Sequence, residues 1–248
     1  MPMIAPRSPS AKKPAPSALP LVRGRALSIG GADAVAETTR GSSWSAPAGP
    51  VVGLDGPRKK SIAPELLATA RAKHASVAAY ARLVCQLLAL GAPARVVDKT
   101  QRAMGDQLRH ATMAFGLLAS CGEPLQPRPL PEAAAPMPTG EALAPAVLRD
   151  VIHHGCVTET LTAHWAARRA DVHASMEIRE YYNQLAEDGA RHAALAFETL
   201  TWLLADAPSL APLAAAQVAA LEASDLPDMK AVVLPLFEAA LRPPAPNT

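Results

Sequence analysis

Two histidines stand in one repeated phrase. Residues 106–118 align without gaps on residues 188–200, at an offset of 82 and with seven of thirteen positions identical, so that Asp106, Arg109 and His110 fall on Asp188, Arg191 and His192. An imidazole can serve as a general acid, a general base or a metal ligand near neutral pH, and a carboxylate at fixed spacing can hold its ring. Other unexpected residues sit at regular spacing: Lys73 in the stripe Leu66, Ala70, Lys73, Val77, Tyr80, Val84, Leu87, and Glu159 in the stripe Leu148, Ile152, Gly155, Glu159, Thr162, Ala166. The two repeat-bearing stripes are Val96, Thr100, Ala103, Gln107, His110, Ala114, Leu117 and Ile178, Tyr182, Leu185, Gly189, His192, Ala196, Thr199. Each advances by alternating steps of three and four residues, the period of the buried face of a packed helix. All four are interrupted near mid-length, by Lys73, by Gln107 with His110, by Glu159, and by Gly189 with His192, which predicts one polar cluster inside a helical core.

The elements that carry these stripes are long. Ser61 to Leu90, Pro93 to Ser120, Thr139 to about Ala170 and Ser175 to Ala205 each read as a helix close to 30 residues, and Gly91 and Gly122 are stop signals. Residues 123–138 are rich in proline and too long for a tight turn, so they read as a crossover connection. Short, long and short connections between helices of matched length predict an all-α fold, a four-helix bundle with one long crossover over residues 61–205. Residues 1–60 form a basic, proline-rich arm, with nine prolines and nine Lys or Arg against three acids; its first 20 or so residues are expected to be mobile. Residues 24–29 and 35–38 are expected as short extended segments on the main body. Residues 206–248 add two short helices, around 211–223 and 229–241.

Composition excludes several classes. A chain that is 50% hydrophobic is not wholly disordered, and a net charge of +2 gives no general case for nucleic acid or a membrane surface as partner. There is no run of about 18 apolar residues and no secretory h-region. Three cysteines, Cys85, Cys121 and Cys156, are odd in number and widely spaced, which fits a reducing compartment, and the expected location is cytoplasmic. A homo-oligomer stays open.

The chain resembles the ferritin-like superfamily, and within it bacterial ferritin-like domain proteins whose first helix reads Glu-His-Ala-Ser-Val and whose second and fourth helices read close to Asp-Glu-x-x-Arg-His-Ala. The matching segments are Lys73-His74-Ala75-Ser76-Val77, Asp106 to Ala111, Gly155 to Leu161 and Asp188 to Ala193, and the resemblance extends from about residue 24 to 205. It implies a bundle built around a di-iron site of four carboxylates and two histidines. The departures are specific: the family's first-helix glutamate falls on Lys73, its second-helix glutamate on Gln107 and its fourth-helix glutamate on Gly189, leaving Glu159 with His110 and His192. An ammonium beside two iron ions is repelled by several kcal/mol even at an effective dielectric near ~20, so the dinuclear site is expected to be lost, with no metal and no cofactor.

The expected function is binding of a small organic molecule in the old pocket, with non-redox acid–base catalysis by Lys73, Glu159, His110 and His192. Tyr80, Gln107, Tyr182 and Gly189 would line the ligand, Gly189 by leaving room. Glu159 would be the partner that keeps Lys73 charged. Two readings compete: a mononuclear metal-dependent oxidoreductase using His110, His192 and Glu159, and a scaffold or interaction protein without a reaction of its own. His153, His154, His164 and His173 fall off the stripes and are expected at the surface.

Overall fold

The computed structural model describes residues 19–47, 51, 54–131, 137–225 and 228–241. The expectations for the first 18 residues, the middle of the crossover and the proline-rich end lie outside them. The fold is mainly helical. Helix α1 spans Gly56–Ala89, α2 Ala94–Ser120, α3 Leu143–Asp150, α4 Thr158–Val172 and α5 Met176–Asp206; the short helices α6 (Ala211–Glu222) and α7 (Leu234–Ala240) follow. No single helix among the described residues is long and apolar enough to cross a membrane.

Helix α1 begins five residues before the expected start. Asp55 accepts a hydrogen bond from the backbone N–H of Arg58 at 2.9 Å, and Pro57 sits in the first turn, where its missing N–H costs nothing. Pro64 therefore lies inside the helix rather than at its start. Helices α3 and α4 are one continuous rod, because Val151–Val157 between them is π-helical, with Thr158 Oγ1 donating to the carbonyl of His153 five residues back at 2.9 Å. The wider turn carries Gly155 against α5, where an added Cβ would stand 2.7 Å from Ala196 Cβ and 3.2 Å from an Arg25 guanidinium nitrogen. Gly155→Ala should accordingly cost about 1–3 kcal/mol, measured by urea unfolding, because the helices must separate to admit one methyl.

Antiparallel pairs set the helix directions. Helices α1 and α2 pack side by side through the hairpin at 90–93, and α4 and α5 through the turn at 173–175. Side-chain pairs such as Gln107 with His192 and Arg95 with Glu198 run α2 antiparallel to α5, while Glu65 with Arg169 and Tyr80 with Glu159 run α1 antiparallel to α4. Relative to α1 the order is up, down, down, up, so the connection from α2 to α3 must travel the length of the molecule.

The backbones of α1 and α4 stay apart and meet through long side chains such as Tyr80 with Glu159. The slit between them is filled by the chain before α1, where Leu19, Val22, Gly24, Arg25 and Leu27 are buried. Strand β1 (Ser28–Ile29) then pairs antiparallel with β2 (Ala32–Asp33), and β3 (Thr38–Arg40) pairs with β4 (Leu125–Pro127) of the crossover. The basic, proline-rich arm is thus built into the core over residues 19–27, and Arg25 is 2% exposed. Its apolar residues lacked any period by which burial could be read. The C-terminal helices join the same core through Leu210, Leu221, Met229, Val233 and Phe237, with Phe237 set edge-on to Phe197 at 5.1 Å.

Candidate functional site

Every member of the stripes proposed for α2, for the α3–α4 rod and for α5 is buried; on α1, Val77 and Val84 are only partly so. Lys73, Gln107, His110, Glu159 and His192 meet at one level of the core, each no more than 4% exposed.

The repeated phrase builds a reciprocal pair of contacts across the antiparallel α2 and α5. His110 Nε2 donates to Asp188 Oδ2 at 2.6 Å, and His192 Nε2 donates to Asp106 Oδ2 at 3.0 Å, so each copy's histidine is held by the other copy's aspartate. Arg109 donates to both aspartates, at 2.7 and 2.9 Å, and Arg191 pairs with Asp188. With Nε2 fixed as donor, the neutral ring leaves Nδ1 as an acceptor. His192 Nδ1 meets Gln107 Nε2 at 3.2 Å and lies 3.8 Å from Glu159 Oε2. His110 Nδ1 is buried and has no hydrogen-bond partner among the described residues.

The two histidines are alike in sequence and opposite in electrostatics. Burial lowers the His110 pKa to about 4, helped by the nearby Lys73 charge and resisted by Asp188. Burial also acts against charge on His192, but the bond to Asp106 and the nearby Glu159 carboxylate outweigh it and raise the pKa above the ordinary histidine value. Glu159 would be pushed up by burial, yet His192, Lys73 and Tyr80 bring it down to about 2, so it is ionised at neutral pH. Burial lowers the Lys73 pKa, and Glu159 and Asp188 partly restore it.

Lys73 and Glu159 do not form the direct ion pair expected of them; among the described residues there is no nitrogen–oxygen contact within 4.0 Å between the two. Glu159 Oε1 instead accepts from Tyr80 OH at 3.0 Å and from the backbone N–H of Arg25 at 2.9 Å. Arg25 is the residue the sequence reading missed. Its guanidinium pairs with Asp150 and lies 5.4 Å from the centre of the Tyr80 ring, and its carbonyl accepts from Ser76 Oγ at 2.6 Å. One arginine in a basic, aperiodic arm carries no signal that separates it from its exposed neighbour Arg23.

Two expected lining residues lie elsewhere. Gly189 leaves no room for a ligand: a Cβ there would stand 3.2 Å from Ala163 Cβ, so the glycine serves the close approach of α4 to α5. Tyr182 belongs to a second buried cluster about eight residues, or roughly 12 Å, further along α1. There its hydroxyl donates to Glu65, which also pairs with Arg169, while His173 stacks on the Tyr182 ring at 5.4 Å. His173 is therefore no surface residue; its side chain is 8% exposed.

A groove of about 350 Å³ opens between α2 and α5, with His192 and Asp106 at its floor and Lys99, Arg102, Arg191 and Glu198 around it. Asp106 and His192 thus connect the outside with Glu159. Among the described residues, no group of three His, Cys, Asp or Glu side chains is placed to hold a metal ion. Compared with known proteins, the chain matches no family model, no curated protein and no solved structure.

Proposed function

We propose that this chain is a ferritin-like four-helix bundle that has given up its dinuclear iron ligands and binds a small organic molecule at the polar centre without a metal, with Lys73, Glu159, His110 and His192 available for non-redox acid–base chemistry. The up, down, down, up order with a long crossover supports the frame. An iron pair does not fit the residues. Glu159 is the one carboxylate left of the family's four, its Oε1 is engaged by Tyr80 and Arg25, and the Lys73 ammonium stands in the cluster. A single metal on His110, His192 and Glu159 would require His192 to leave Gln107 and Glu159 to turn.

One observation carries the binding reading. Gln107 Oε1, His110 Nδ1 and Glu159 Oε2 are all buried, all acceptors, and none has a partner among the described residues. Leaving one buried polar atom unpaired costs about 1–3 kcal/mol, so three on neighbouring residues define a place for something that donates hydrogen bonds. A small neutral hydroxyl or amide compound matches, since its lone pairs also suit the Lys73 ammonium. His192, held by Asp106 and facing Glu159, is the proton carrier between this centre and the α2–α5 groove.

A high-resolution crystal structure of the full chain as purified, with native mass spectrometry, tests this. Organic density between Gln107, His110 and Glu159 is expected, with a matching mass increment lost in Gln107→Leu. Ordered water alone there, with no increment, would sink the reading and leave the scaffold alternative.

A further inference from the structure

We propose that residues 19–27 are a strap that seals the polar centre and gates it by opening as a unit, while the helices stay folded. The proposal rests on the binding reading for its purpose and on independent geometry for its existence.

Gly24 is where the strap meets the centre. It adopts φ +78°, a conformation that side chains disfavour, and a Cβ added there would stand 2.6 Å from Lys73 Nζ and 3.5 Å from Gln107 Oε1. A side chain at this position would strain the backbone and push the Lys73 ammonium aside. Its N–H donates to Thr162 Oγ1 at 3.0 Å, and the next residue contributes the Arg25 N–H to Glu159 and the Arg25 carbonyl to Ser76. Further back, Arg169 Nη2 donates to the carbonyls of Leu19 and Pro20 at 2.7 and 3.1 Å. Ser76 lies on α1 and Thr162, Glu159 and Arg169 on α4, so the strap bridges the two helices whose backbones stay apart.

Two features make this closure separable from the fold. Apart from the Arg25 guanidinium paired with Asp150, the tethers are side chains gripping strap backbone, and none belongs to a helix or sheet ladder that must break with them. The strap adds few apolar anchors, Leu19, Val22 and Leu27, to the slit between α1 and α4. An extended segment with so few buried apolar groups belongs to the low end of the range of local opening energies. Opening it uncovers Lys73, Ser76, Glu159 and Thr162 along a slit of up to roughly 30 Å, the reach of nine extended residues. Access past His192 from the α2–α5 groove is then the proton's path, and the slit under the strap is the ligand's.

Acylation of lysines in the full chain by N-hydroxysuccinimide acetate, read residue by residue by mass spectrometry at increasing sub-denaturing urea, reports opening without any ligand. Lys73 is expected to react at least ~100-fold more slowly than the exposed Lys99, with a urea dependence much shallower than that of amide exchange in α2 and α5. Gly24→Ala should speed Lys73 acylation at least ~10-fold with exchange in α2 and α5 unchanged. Thr162→Val, which removes the acceptor of the Gly24 N–H, should do the same to a smaller degree and serves if the glycine variant does not fold. Lys73 acylation that rises with urea as steeply as α2 and α5 exchange, or equal rates in wild type and both variants, would overturn the strap. A centre holding only water would remove the proposed ligand and leave this kinetic result standing.

Discussion

Glu159→Leu is expected to lower the folding free energy by about 3–5 kcal/mol, the cost of breaking a buried charge cluster on one side only. The carboxylate is fully buried and ionised, with its pKa drawn down to about 2. Removing it leaves the Tyr80 hydroxyl and the Arg25 N–H without their acceptor and deprives Lys73 and His192 of the negative charge that supports theirs. Glu159→Gln keeps an oxygen for both donors, so it should lose less. Lys73→Met should be destabilising alone because Glu159 and Asp188 then face less positive charge. The double variant Lys73→Met with Glu159→Leu should cost at least ~1 kcal/mol less than the two single losses added, since neither ion is left behind. Urea unfolding of the four chains measures this. Strictly additive losses would show that Lys73 and Glu159 do not sense one another, as the absence of a direct contact alone would suggest.

Periodicity made most of this centre legible. The stripes on α2 and α5 could be read because each helix buries one face along its whole length, so Gln107, His110 and His192 were placed by spacing alone. The duplicated phrase went further than its spacing, since two antiparallel copies put each aspartate opposite the other copy's histidine. What spacing does not carry is which neighbour fills a stripe position. Gly189 reads as vacant space and is pressed on Ala163; Tyr182 shares a stripe with His192 and lies in another cluster with Glu65 and Arg169. The strap was illegible for a different reason. Its residues are recognised through their backbone atoms, which every residue possesses, and its two informative side chains, the missing one at Gly24 and the buried one at Arg25, stand in a stretch whose composition resembles a solvated arm.

The duplicated histidines should pull stability in opposite directions with pH. His110 is held near a pKa of about 4, whereas in the unfolded chain it titrates near ~6.5. Between those values the unfolded state binds a proton that the folded state refuses, so stability falls as the pH is lowered from ~6.5 toward 4, by about 3 kcal/mol across that window. His192 has the reverse sign. Its folded pKa is raised, so its contribution is fully present below ~6.5 and is lost as the pH rises through the folded value. Glu159 adds a third part, present above the ordinary carboxylate range and lost as the pH falls toward about 2. Urea unfolding from pH 4.5 to 8 should therefore show His110→Gln with a flatter profile than wild type below ~6.5, and His192→Gln without the wild-type fall in stability above ~6.5. Parallel profiles for wild type and His110→Gln would refute the assignment. The cause of the asymmetry lies outside the duplication: α2 and α5 supply equivalent histidines and aspartates and Lys73 of α1 disfavours charge on both imidazoles, but the unduplicated α4 sets Glu159 beside His192 alone. A Lys73→Met substitution should thus raise both imidazole pKa values, followed by NMR titration, whereas Glu159→Gln should lower that of His192 and make the two halves of the repeat titrate more alike.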